Sequence, residues 1–461
     1  MGERPLASTD VSDMLTLRNP ATEQVIRELP HATVADADAA IEKAKAASPA
    51  WKAMAPADRS KVMRRFADTV AAHVEELALL ETENMGMPIG SSRWCANAVS
   101  DVLHYFAGAV EKHTGSSIPV AGGIDVTFHE PLGVVGLITP WNFPMLMASW
   151  KIGPALAAGN TAVLKPAEIT PLSSMRIGEL ALEAGIPEGV LNVVVGPGST
   201  VGQRLVDHPD VRKVAFTGST EVGKQLMRGC ADQVKRLTLE LGGKSANIVF
   251  ADADLEKAAA NAPGAVFDNS GQDCCARSRV LVQRSVFDRF MELFIDAAKA
   301  WKVGDPMDPS TAMGPLVTAG HLAAVRRYSD GLETVFTGEA PDGPGYWHPV
   351  MIATPKYDDP VCHEEIFGPV VVVIPFDDEA DAIRICNDSI YGLSGSVWTQ
   401  DGAKAIRVVR AMEAGTLSVN SNSSVRYSTP FGGFKQSGLG REHSMHVMDH
   451  YSELKNVFFA T

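Results

Sequence analysis

The chain has 461 residues, and its 55 acidic and 41 basic side chains leave a formal charge of −14 with neutral histidines. Single hydrophobic cores stop growing near roughly 250–300 residues, so this length, with 45% hydrophobic residues, predicts two or three packed units and excludes a disordered chain. The acidic balance repels phosphate backbones and anionic lipid surfaces, which excludes binding to nucleic acid or membrane surfaces by general charge.

The beginning of the chain, residues 1–15, has no apolar core of the length that a secretion signal needs, which predicts a cytoplasmic protein. Six cysteines without the paired spacing of zinc sites are typical of reduced thiols in that compartment. The longest uncharged stretch, residues 131–150, matches a membrane span in length. Pro140 and Pro144 interrupt it, and because proline breaks a helix, we expect a strand, a turn and a new helix instead.

The remaining elements follow from the periodicity of apolar residues. Residues 35–80 place them at helical spacing, which predicts amphipathic helices. Residues 114–133 contain two short β-prone runs punctuated by Gly and Pro, which predict a hairpin or an extended arm. Two series of strand-like runs interleaved with helical segments, at 133–240 and 246–420, predict two α/β units with parallel sheets. Residues 451–461 predict a terminal strand, which we expect to pair with the arm of another copy.

Three polar residues stand out for their chemistry. Cys274 is the first of two adjacent thiols in the polar loop FDNSGQDCCARSR, which favours a nucleophile over a buried structural thiol. Glu240 ends an apolar run directly before two glycines, where a carboxylate either caps neighbouring amides or acts as a general base for water. Asn142, between two aromatic residues and bracketed by prolines, either caps the following helix or donates to an oxyanion.

Two other strand ends carry candidate contacts for a dinucleotide. Gly218 and Ser219 follow the strand-like KVAF and open a helix, so free amides there could take a pyrophosphate. Their spacing departs from GxGxxG, and an ordinary strand-to-helix turn is equally consistent with it. Lys165 and Glu168 follow the strand-like TAVL, where a carboxylate can bind ribose hydroxyls.

Seven motifs occur in the order and approximate spacing of the aldehyde dehydrogenase superfamily: PWNFP, LKPAE, FTGSTEVG, LELGGK, NSGQDC, EEIFGPV and PFGGFKQSGLGRE. The chain resembles this family from about Leu17 to Val457. The resemblance implies an α/β protein with the aldehyde dehydrogenase-like fold: a Rossmann-type cofactor domain, an α/β catalytic domain and a β oligomerisation arm. The implied boundaries are 1–110 and 131–241 for the NAD-binding domain, 242–441 for the catalytic domain, and 111–130 with 442–461 for the arm.

The resemblance also implies a role for each site residue. Cys274 is the nucleophile with Cys275 as a non-catalytic neighbour, Asn142 and the Cys274 backbone amide form the oxyanion hole, and Glu240 is the general base. The residues implied to hold NAD are Lys165 and Glu168 at the adenine ribose, Gly218 and Ser219 at the pyrophosphate, Glu365 and Phe367 at the nicotinamide riboside, and Trp141 in the channel wall. The residues implied to line the aldehyde tunnel are Phe143, Trp150 and Phe431, with Asp273 beside the nucleophile.

The implied reaction begins with attack of the Cys274 thiolate on the aldehyde carbon, which gives a thiohemiacetal. After hydride transfer to the nicotinamide, Glu240 activates the water that hydrolyses the resulting thioester to the acid. Glu168 favours NAD over NADP because its carboxylate accepts from the ribose hydroxyl and repels a 2′-phosphate. In the family the arm and the terminal strand pair between subunits, which implies a homodimer or a homotetramer.

Three rival activities are weighed against this one. A branch of the family transfers its acyl group to coenzyme A and lacks the glutamate, so Glu240 favours hydrolysis. A catalytically silent protein that keeps the fold is disfavoured by the intact cysteine, glutamate and asparagine. A metal-dependent hydrolase would need a ligand set, but the pair of His443 and His446, at a near-ligand spacing, has no set of carboxylates to complete it. We expect that pair to lie on a solvated helical face, and we expect no metal in the active site.

The substrate class is open between two interpretations. A tunnel with apolar walls accepts general aliphatic or aromatic aldehydes, and such walls are the default for small-molecule sites, so we favour it. Asp273, with Asp101 and His104 on the helix before the arm, would instead favour a cationic ω-aminoaldehyde such as 4-aminobutanal. The GQDC sequence also resembles the loop of some aminoaldehyde dehydrogenases.

Overall fold

A computed structural model describes residues 14–461, so the predicted absence of a secretion signal falls almost entirely outside the described residues. The first part of the chain is a hairpin, a layer of helices and a second hairpin. Its elements are β1 (Met14–Arg18), β2 (Val25–Pro30), α1 (Val34–Ala53), α2 (Pro56–Ala72), α3 (Val74–Met85), α4 (Ile89–Ala109), β3 (Ser117–Val120) and β4 (Gly123–Pro131). The predicted amphipathic helices and hairpin arm are therefore confirmed.

The next part of the chain alternates strands with helices. Its elements are β5 (Val134–Ile138), α5 (Pro144–Ala157), β6 (Thr161–Lys165), α6 (Leu172–Glu183), β7 (Leu191–Val193), α7 (Gln203–Asp207), β8 (Val211–Thr217), α8 (Thr220–Ala231) and β9 (Arg236–Glu240). The uncharged stretch 131–150 becomes strand, turn and helix as predicted, with Pro144 as the first residue of α5. Among residues 14–461, no helix is long and apolar enough to cross a membrane.

A second alternating series completes the chain. Its strands are β10 (Ala246–Val249), β11 (Arg279–Gln283), β12 (Thr334–Thr337), β13 (Met351–Ala353), β14 (Val370–Phe376), β15 (Ser394–Trp398), β16 (Thr416–Val419), β17 (Gly438–Leu439) and β18 (Ser452–Ala460). Its helices are α9 (Leu255–Phe267), α10 (Phe287–Lys299), α11 (Ala319–Ser329), α12 (Pro360–His363), α13 (Glu379–Asn387), α14 (Gly402–Ala411) and α15 (His446–His450).

Two large sheets organise these elements. The first has the order β17-β9-β8-β5-β6-β7 and is parallel apart from β17. The second has the order β12-β13-β14-β11-β10-β15-β16 and is parallel apart from β12. The prediction of an α/β protein with two parallel-sheet units is confirmed. The predicted domain boundaries stay a prediction, and β17, from the segment assigned to the second unit, pairs with β9 of the first sheet.

Both sheets are covered by helices on both faces. Successive residues of a strand point to opposite sides, so neighbouring residues pack against different helices. In β6, Val163 packs into a cluster with α1, whereas Ala162 and Leu164 pack into another cluster with α5. Every residue of β6 is buried, which is typical of parallel strands between helical layers. The carboxyl ends of such strands are the edge at which ligands bind.

The arm is a third, antiparallel sheet with the order β18-β4-β3. The terminal strand β18 pairs along its whole length with β4 of the same chain, from Ser452 opposite Pro131 to Ala460 opposite Gly123. The terminal strand therefore pairs with the arm of its own chain, and its pairing with the arm of another copy stays a prediction. The hairpin β3–β4 leaves the outer edge of β4 free, and the chain's own terminus returns close enough to fill it.

Candidate active site

A cavity of about 380 Å³ lies at the carboxyl edge of the first sheet, against the loop that carries the two adjacent thiols. It brings together most of the site residues predicted from the sequence: Cys274, Glu240, Asn142, Trp141, Phe143, Trp150, Gly218, Ser219, Asp273, Glu365, Phe367 and Phe431. Lys165 and Glu168 are outside its lining. The remaining lining residues, which the sequence prediction did not name as site residues, include Trp94, Leu146, Met147, Val425 and Asp268.

The loop that carries Cys274 is held by buried side chains that bond its own backbone and a neighbouring segment. Gln272 donates from Nε2 to the carbonyl of Asn269 (3.0 Å) and accepts at Oε1 from the backbone amide of Val317 (2.9 Å). Ser270 donates to the carbonyl of Gly314 (2.8 Å). Asn269 and Ser270 have left-handed backbone angles, with φ of 50° and 60°. The loop is thus a fixed, tightly coiled support for the thiol that follows it.

Asn142 is joined to that loop by two hydrogen bonds. Its Nδ2 donates to the carbonyl of Gln272 (2.8 Å), and its own carbonyl accepts from Nδ2 of Asn269 (2.7 Å). Asn142 is buried, and an amide nitrogen carries two hydrogens. One hydrogen fixes the side chain beside the loop, and the other is left to serve a group in the cavity.

Cys274 is half-buried, and its sulfur lies within 4.8 Å of a carboxylate oxygen of Asp273 and of the sulfur of Cys275. A hydrogen bond with the Cys275 thiol, together with burial, raises the pKa of Cys274 well above its ordinary value. Burial also raises the pKa of Asp273, whose carboxylate accepts from the Cys275 backbone amide (2.9 Å). The site by itself therefore holds Cys274 as a thiol at neutral pH.

Glu240 is the last residue of β9 and is only 3% exposed. Its Oε2 has no hydrogen-bond partner, which leaves this oxygen available to a group in the cavity. Burial raises the pKa of Glu240 well above its ordinary value, and the nearby carboxylate of Glu442 raises it further. A buried carboxyl group of raised pKa that lines a ligand cavity is a candidate proton acceptor.

A buried ion pair stands behind this glutamate. Lys151 donates to Oγ1 of Thr217 (2.7 Å) and to the carboxylate of Glu442, and both charged side chains are nearly inaccessible. Because Lys151 lowers the pKa of Glu240 while Glu442 raises it, the pair tunes the carboxyl group. The sequence prediction missed both residues. A lone lysine in the otherwise apolar helix α5 was the signal, since an unpaired charge is not stable there.

Replacing Glu442 by glutamine should move the acid limb of the pH–kcat profile to lower pH. Removal of the neighbouring negative charge lowers the pKa of Glu240, so its basic form is present at lower pH. Steady-state rates at saturating substrate, measured across pH, locate the acid limb. Glu442→Asp keeps the charge and should stay near wild type. Breaking a buried ion pair lowers the free energy of unfolding by about 3–5 kcal/mol, so the rates should be measured well below the melting temperature of the variant. An unmoved limb, or one at higher pH, would contradict the prediction.

The opposite wall of the cavity is built around Glu365 and Phe367. Glu365 accepts at Oε1 from the backbone amide of Gly243 (2.7 Å), and burial raises its pKa to about 7. Phe367 has a left-handed φ of 59° and stands edge-on to Trp141, with ring centroids 5.3 Å apart. His321, which the sequence prediction missed, contacts the Phe367 carbonyl through Nε2 (2.8 Å). Trp141 and Phe367 thus form an aromatic slot in this wall, and the carboxyl group of Glu365 borders the slot.

The residues predicted for the adenine side lie at neighbouring strand ends. Lys165 ends β6, is buried, and donates to the carbonyl of Pro166 (3.2 Å). Glu168 is partly exposed, and its Oε1 is 3.9 Å from Nδ1 of His31, a residue absent from the prediction. Ser219 precedes α8 and caps it by accepting from the Val222 amide (3.4 Å). This position is compatible with both predictions for Ser219, an ordinary strand-to-helix turn and a contact to the pyrophosphate.

Two expectations about polar residues around the tunnel are wrong. Asp101 is exposed on α4, and His104 pairs with Asp68 (3.2 Å) on the surface, so neither lines the cavity. His443 does not lie on a solvated helical face: it is 1% exposed, precedes α15, and stacks edge-on with Trp150, with ring centroids 4.0 Å apart. Burial lowers its pKa to about 3, which keeps the ring neutral. His446 does begin α15 and is exposed, so the expectation of a solvated helical face is right for this residue.

Comparison with known proteins extends over nearly the whole chain. The model of the aldehyde dehydrogenase family matches residues 7–457. A phenylacetaldehyde dehydrogenase of Pseudomonas fluorescens is 44% identical, over 97% of this chain and 92% of its own length.

Two solved structures show how closely the backbone agrees. The indole-3-acetaldehyde dehydrogenase of P. syringae, a mutant in complex with NAD+ and IAA, is 42% identical with a TM-score of 0.95, covering 97% of this chain and 94% of that one. The betaine aldehyde dehydrogenase of Staphylococcus aureus, in complex with NAD+, is 38% identical with a TM-score of 0.94, covering 97% and 92%. With the family model, these similarities show that the chain is a member of the aldehyde dehydrogenase family.

Proposed function

We propose that this protein oxidises apolar, chiefly aromatic aldehydes to their carboxylic acids with NAD. The observation that carries the proposal is a single cavity in which a thiol, an amide donor and a buried carboxyl group face walls that are otherwise mostly aromatic and aliphatic. Covalent catalysis by a thiol needs these three groups together, since they attack, stabilise the oxyanion and activate water.

In the proposed mechanism Cys274 attacks the aldehyde carbon, and the oxygen becomes an alkoxide. The second hydrogen of Asn142 Nδ2 and the Cys274 backbone amide donate to that oxygen, a contact whose loss typically costs about 2.7–4 kcal/mol of transition-state stabilisation. Because the resting site favours the thiol, a base or an added positive charge must draw off its proton. We assign the role of this base to Glu240, which lines the same cavity and has a free Oε2.

The proposed cofactor fits the chain's own residues. The cavity runs from Cys274 to Gly218 and Ser219, past the aromatic slot of Trp141 and Phe367 and the carboxyl of Glu365. Gly242 supports this fit. A β-carbon at this position would collide with the carboxylate of Glu365, so the glycine lets that carboxylate stay beside the slot. NAD, when bound, accepts the hydride. Glu365 would hold a ribose hydroxyl, and Lys165 with Glu168 would hold the adenine ribose.

Once a thioester has formed on Cys274, Glu240 would act a second time. Its buried carboxylate takes a proton from water, which attacks the acyl carbon and releases the acid. The ion pair of Lys151 with Glu442 would hold the carboxyl group between its charged and neutral forms. The presence of this glutamate favours hydrolysis over transfer of the acyl group to coenzyme A.

Replacing Glu168 by glutamine should improve the use of NADP by about tenfold relative to NAD, because the carboxylate that repels a 2′-phosphate is gone. The ratio of kcat/KM for the two cofactors, at one fixed aldehyde concentration, is the measurement. Glu188→Gln removes an exposed charge in the same unit and should leave the ratio unchanged. An unchanged ratio in Glu168→Gln would place the adenine ribose elsewhere.

The substrate proposal follows from the walls. Trp150 and Phe431 meet edge-on, with ring centroids 5.1 Å apart, and Phe143, Leu146 and Met147 continue the apolar surface. Relatives named for phenylacetaldehyde and indole-3-acetaldehyde support an aromatic substrate. A second candidate, a cationic ω-aminoaldehyde, is favoured by two carboxyl groups in the lining, Asp268 and Asp273. Burial raises the pKa of Asp268 to about 6, so this group still carries most of its negative charge at neutral pH.

We expect kcat/KM for phenylacetaldehyde to exceed that for 4-aminobutanal by roughly a hundredfold. Burying an aromatic ring against the apolar wall is favourable, whereas burying an ammonium group there costs its hydration free energy. Cofactor reduction followed by absorbance, with aldehydes of matched length, gives both values. Asp273→Asn is the discriminating variant. If it raises KM for 4-aminobutanal alone, charge recognition is real and the cationic candidate replaces the aromatic one.

We further propose that the protein is a cytoplasmic homodimer or homotetramer that assembles through the arm. The arm sheet exposes apolar side chains on β3, β4 and β18: Ile118, Ile124, Phe128, Leu454, Phe458 and Phe459. Exposed apolar surface of this extent typically marks a contact between proteins. All six cysteines lie within residues 14–461 and are free thiols, which supports a reducing compartment. Light scattering after size exclusion measures the mass of the assembly.

A further inference from the structure

Two histidines and an aspartate from three distant segments meet at the base of the arm, outside the active site. His113 follows α4, His129 lies in β4, and Asp449 lies in α15. The side chains of the two histidines are 11% and 18% exposed, and their rings are tilted by 37° with centroids 3.8 Å apart. Neither ring serves the proposed reaction, and both stand beside one carboxylate.

The candidate ligand atoms have spacings suited to a metal ion. Nε2 of His113 is 3.0 Å and Nδ1 of His129 is 4.0 Å from Oδ1 of Asp449, and all three atoms lie within 4.8 Å of one another. Ligands about 2.0–2.1 Å from a tetrahedral zinc ion stand roughly 3.3 Å apart, so small rotations of these side chains would close the site. Ser452 Oγ is 3.2 Å from the same Nδ1 of His129, so an ion bound at this nitrogen would replace that hydrogen bond.

The two other clusters of this kind among the described residues are weaker candidates. Asp273, Cys274 and Cys275 belong to the active site. Glu42, His208 and Asp210 offer one imidazole, and Asp210 already pairs with Lys45 (2.9 Å). The arm cluster supplies two imidazoles and one carboxylate, a ligand set that binds zinc or another divalent transition metal.

We propose that His113, His129 and Asp449 bind a divalent transition metal ion, with Zn²⁺ as the preferred occupant and water as the fourth ligand. The ion ties the end of α4 and the strand β4 to α15, which directly precedes the terminal strand β18. Its role is structural: it fastens the arm sheet to the body of the chain, and it takes no part in aldehyde oxidation.

The test is titration of the full-length, chelator-treated protein with ZnCl₂ by calorimetry, with the melting temperature recorded with and without the metal. His113→Asn and Asp449→Asn should each weaken this site at least about tenfold and abolish the zinc-induced rise in melting temperature. His104→Asn is the matched control, because His104 also contacts an aspartate, Asp68 (3.2 Å), but has no second imidazole. It should bind zinc like the wild type. Retained aldehyde oxidation shows that each variant is folded.

A second probe, Co²⁺, distinguishes metal binding by the active-site thiols from metal binding at the arm site. Thiolate ligation gives an intense charge-transfer absorption, whereas nitrogen and oxygen ligands give only weak visible bands. Weak bands that disappear in His113→Asn support the arm site. If His113→Asn and Asp449→Asn bind Zn²⁺ with wild-type affinity and stoichiometry, or if the Co²⁺ spectrum shows thiolate ligation alone, the proposal is overturned.

Discussion

Replacement of Cys274 by alanine should reduce kcat/KM for aldehyde oxidation at least about 10⁴-fold, because it removes the thiol that we propose as the nucleophile of the covalent intermediate. The loop that carries Cys274 is fixed through Gln272, so the substitution should leave the fold and cofactor binding intact. Initial rates of cofactor reduction, with cofactor affinity measured separately by fluorescence, give the two readouts.

The adjacent thiol provides the matched control. Cys275 is buried, and its hydrogen bond is the first cause of the raised pKa of Cys274. Cys275→Ala should therefore lower the pKa of Cys274 and keep most of the activity, with the onset of activity at lower pH. If Cys275→Ala abolished oxidation while Cys274→Ala retained it, the assignment of the nucleophile would be reversed.

Replacement of Glu240 by glutamine should slow steady-state turnover about 10²- to 10⁴-fold and expose a burst of one reduced cofactor per active site. Formation of the thioester precedes hydrolysis, so the first hydride transfer survives whenever another group or water takes the thiol proton. Rapid mixing followed by absorbance measures the amplitude of the burst and the slow rate that follows it.

An added nucleophile separates the two duties proposed for Glu240. Hydroxylamine attacks a thioester without a general base, so it should restore turnover in Glu240→Gln while leaving the burst unchanged. A variant with neither burst nor rescue would show that the carboxyl group acts before the thioester forms, as the base for Cys274. In that case the proposed hydrolytic role would have to pass to another residue.

The two parallel sheets could be predicted from the sequence because each strand is a continuous apolar run bounded by glycine or polar residues. The run VVVVIPF forms β14, whose residues from Val370 to Phe376 pack alternately against the helices on both faces. The positions of Glu240 at the end of β9 and of Asn142 after β5 could also be predicted, since polar residues at the ends of apolar strands fall at one edge of a sheet. Cys274 precedes β11, and only its polar loop sequence singled it out.

What the sequence did not predict depends on contacts between distant segments. The spacing of His443 and His446 suits a helix, yet the chain enters α15 only at His446, and His443 turns inward with a φ of 63° to meet Trp150. The ion pair of Lys151 with Glu442 spans almost three hundred residues, and no local pattern records it. The prediction that Asp101 and His104 lie along the tunnel was wrong for the same reason, because a position in a helix does not by itself show which face of the helix meets the cavity.

The short strand β17 has a consequence for how the protein is made. Gly438 pairs with Glu240, and the Leu241 amide donates to the Ser437 carbonyl (2.8 Å), so a segment near the end of the chain holds the strand that carries the proposed base. On the ribosome, the stretch from Cys274 to Gly438 takes on the order of ten seconds to synthesise. During that time the nascent chain has its thiol but lacks the strand that positions Glu240 and the acid that pairs with Lys151. If Glu240 is the base that we propose, release of the acyl group would become possible only when synthesis is nearly complete, because a prematurely terminated product would lack the strand that pairs with Glu240.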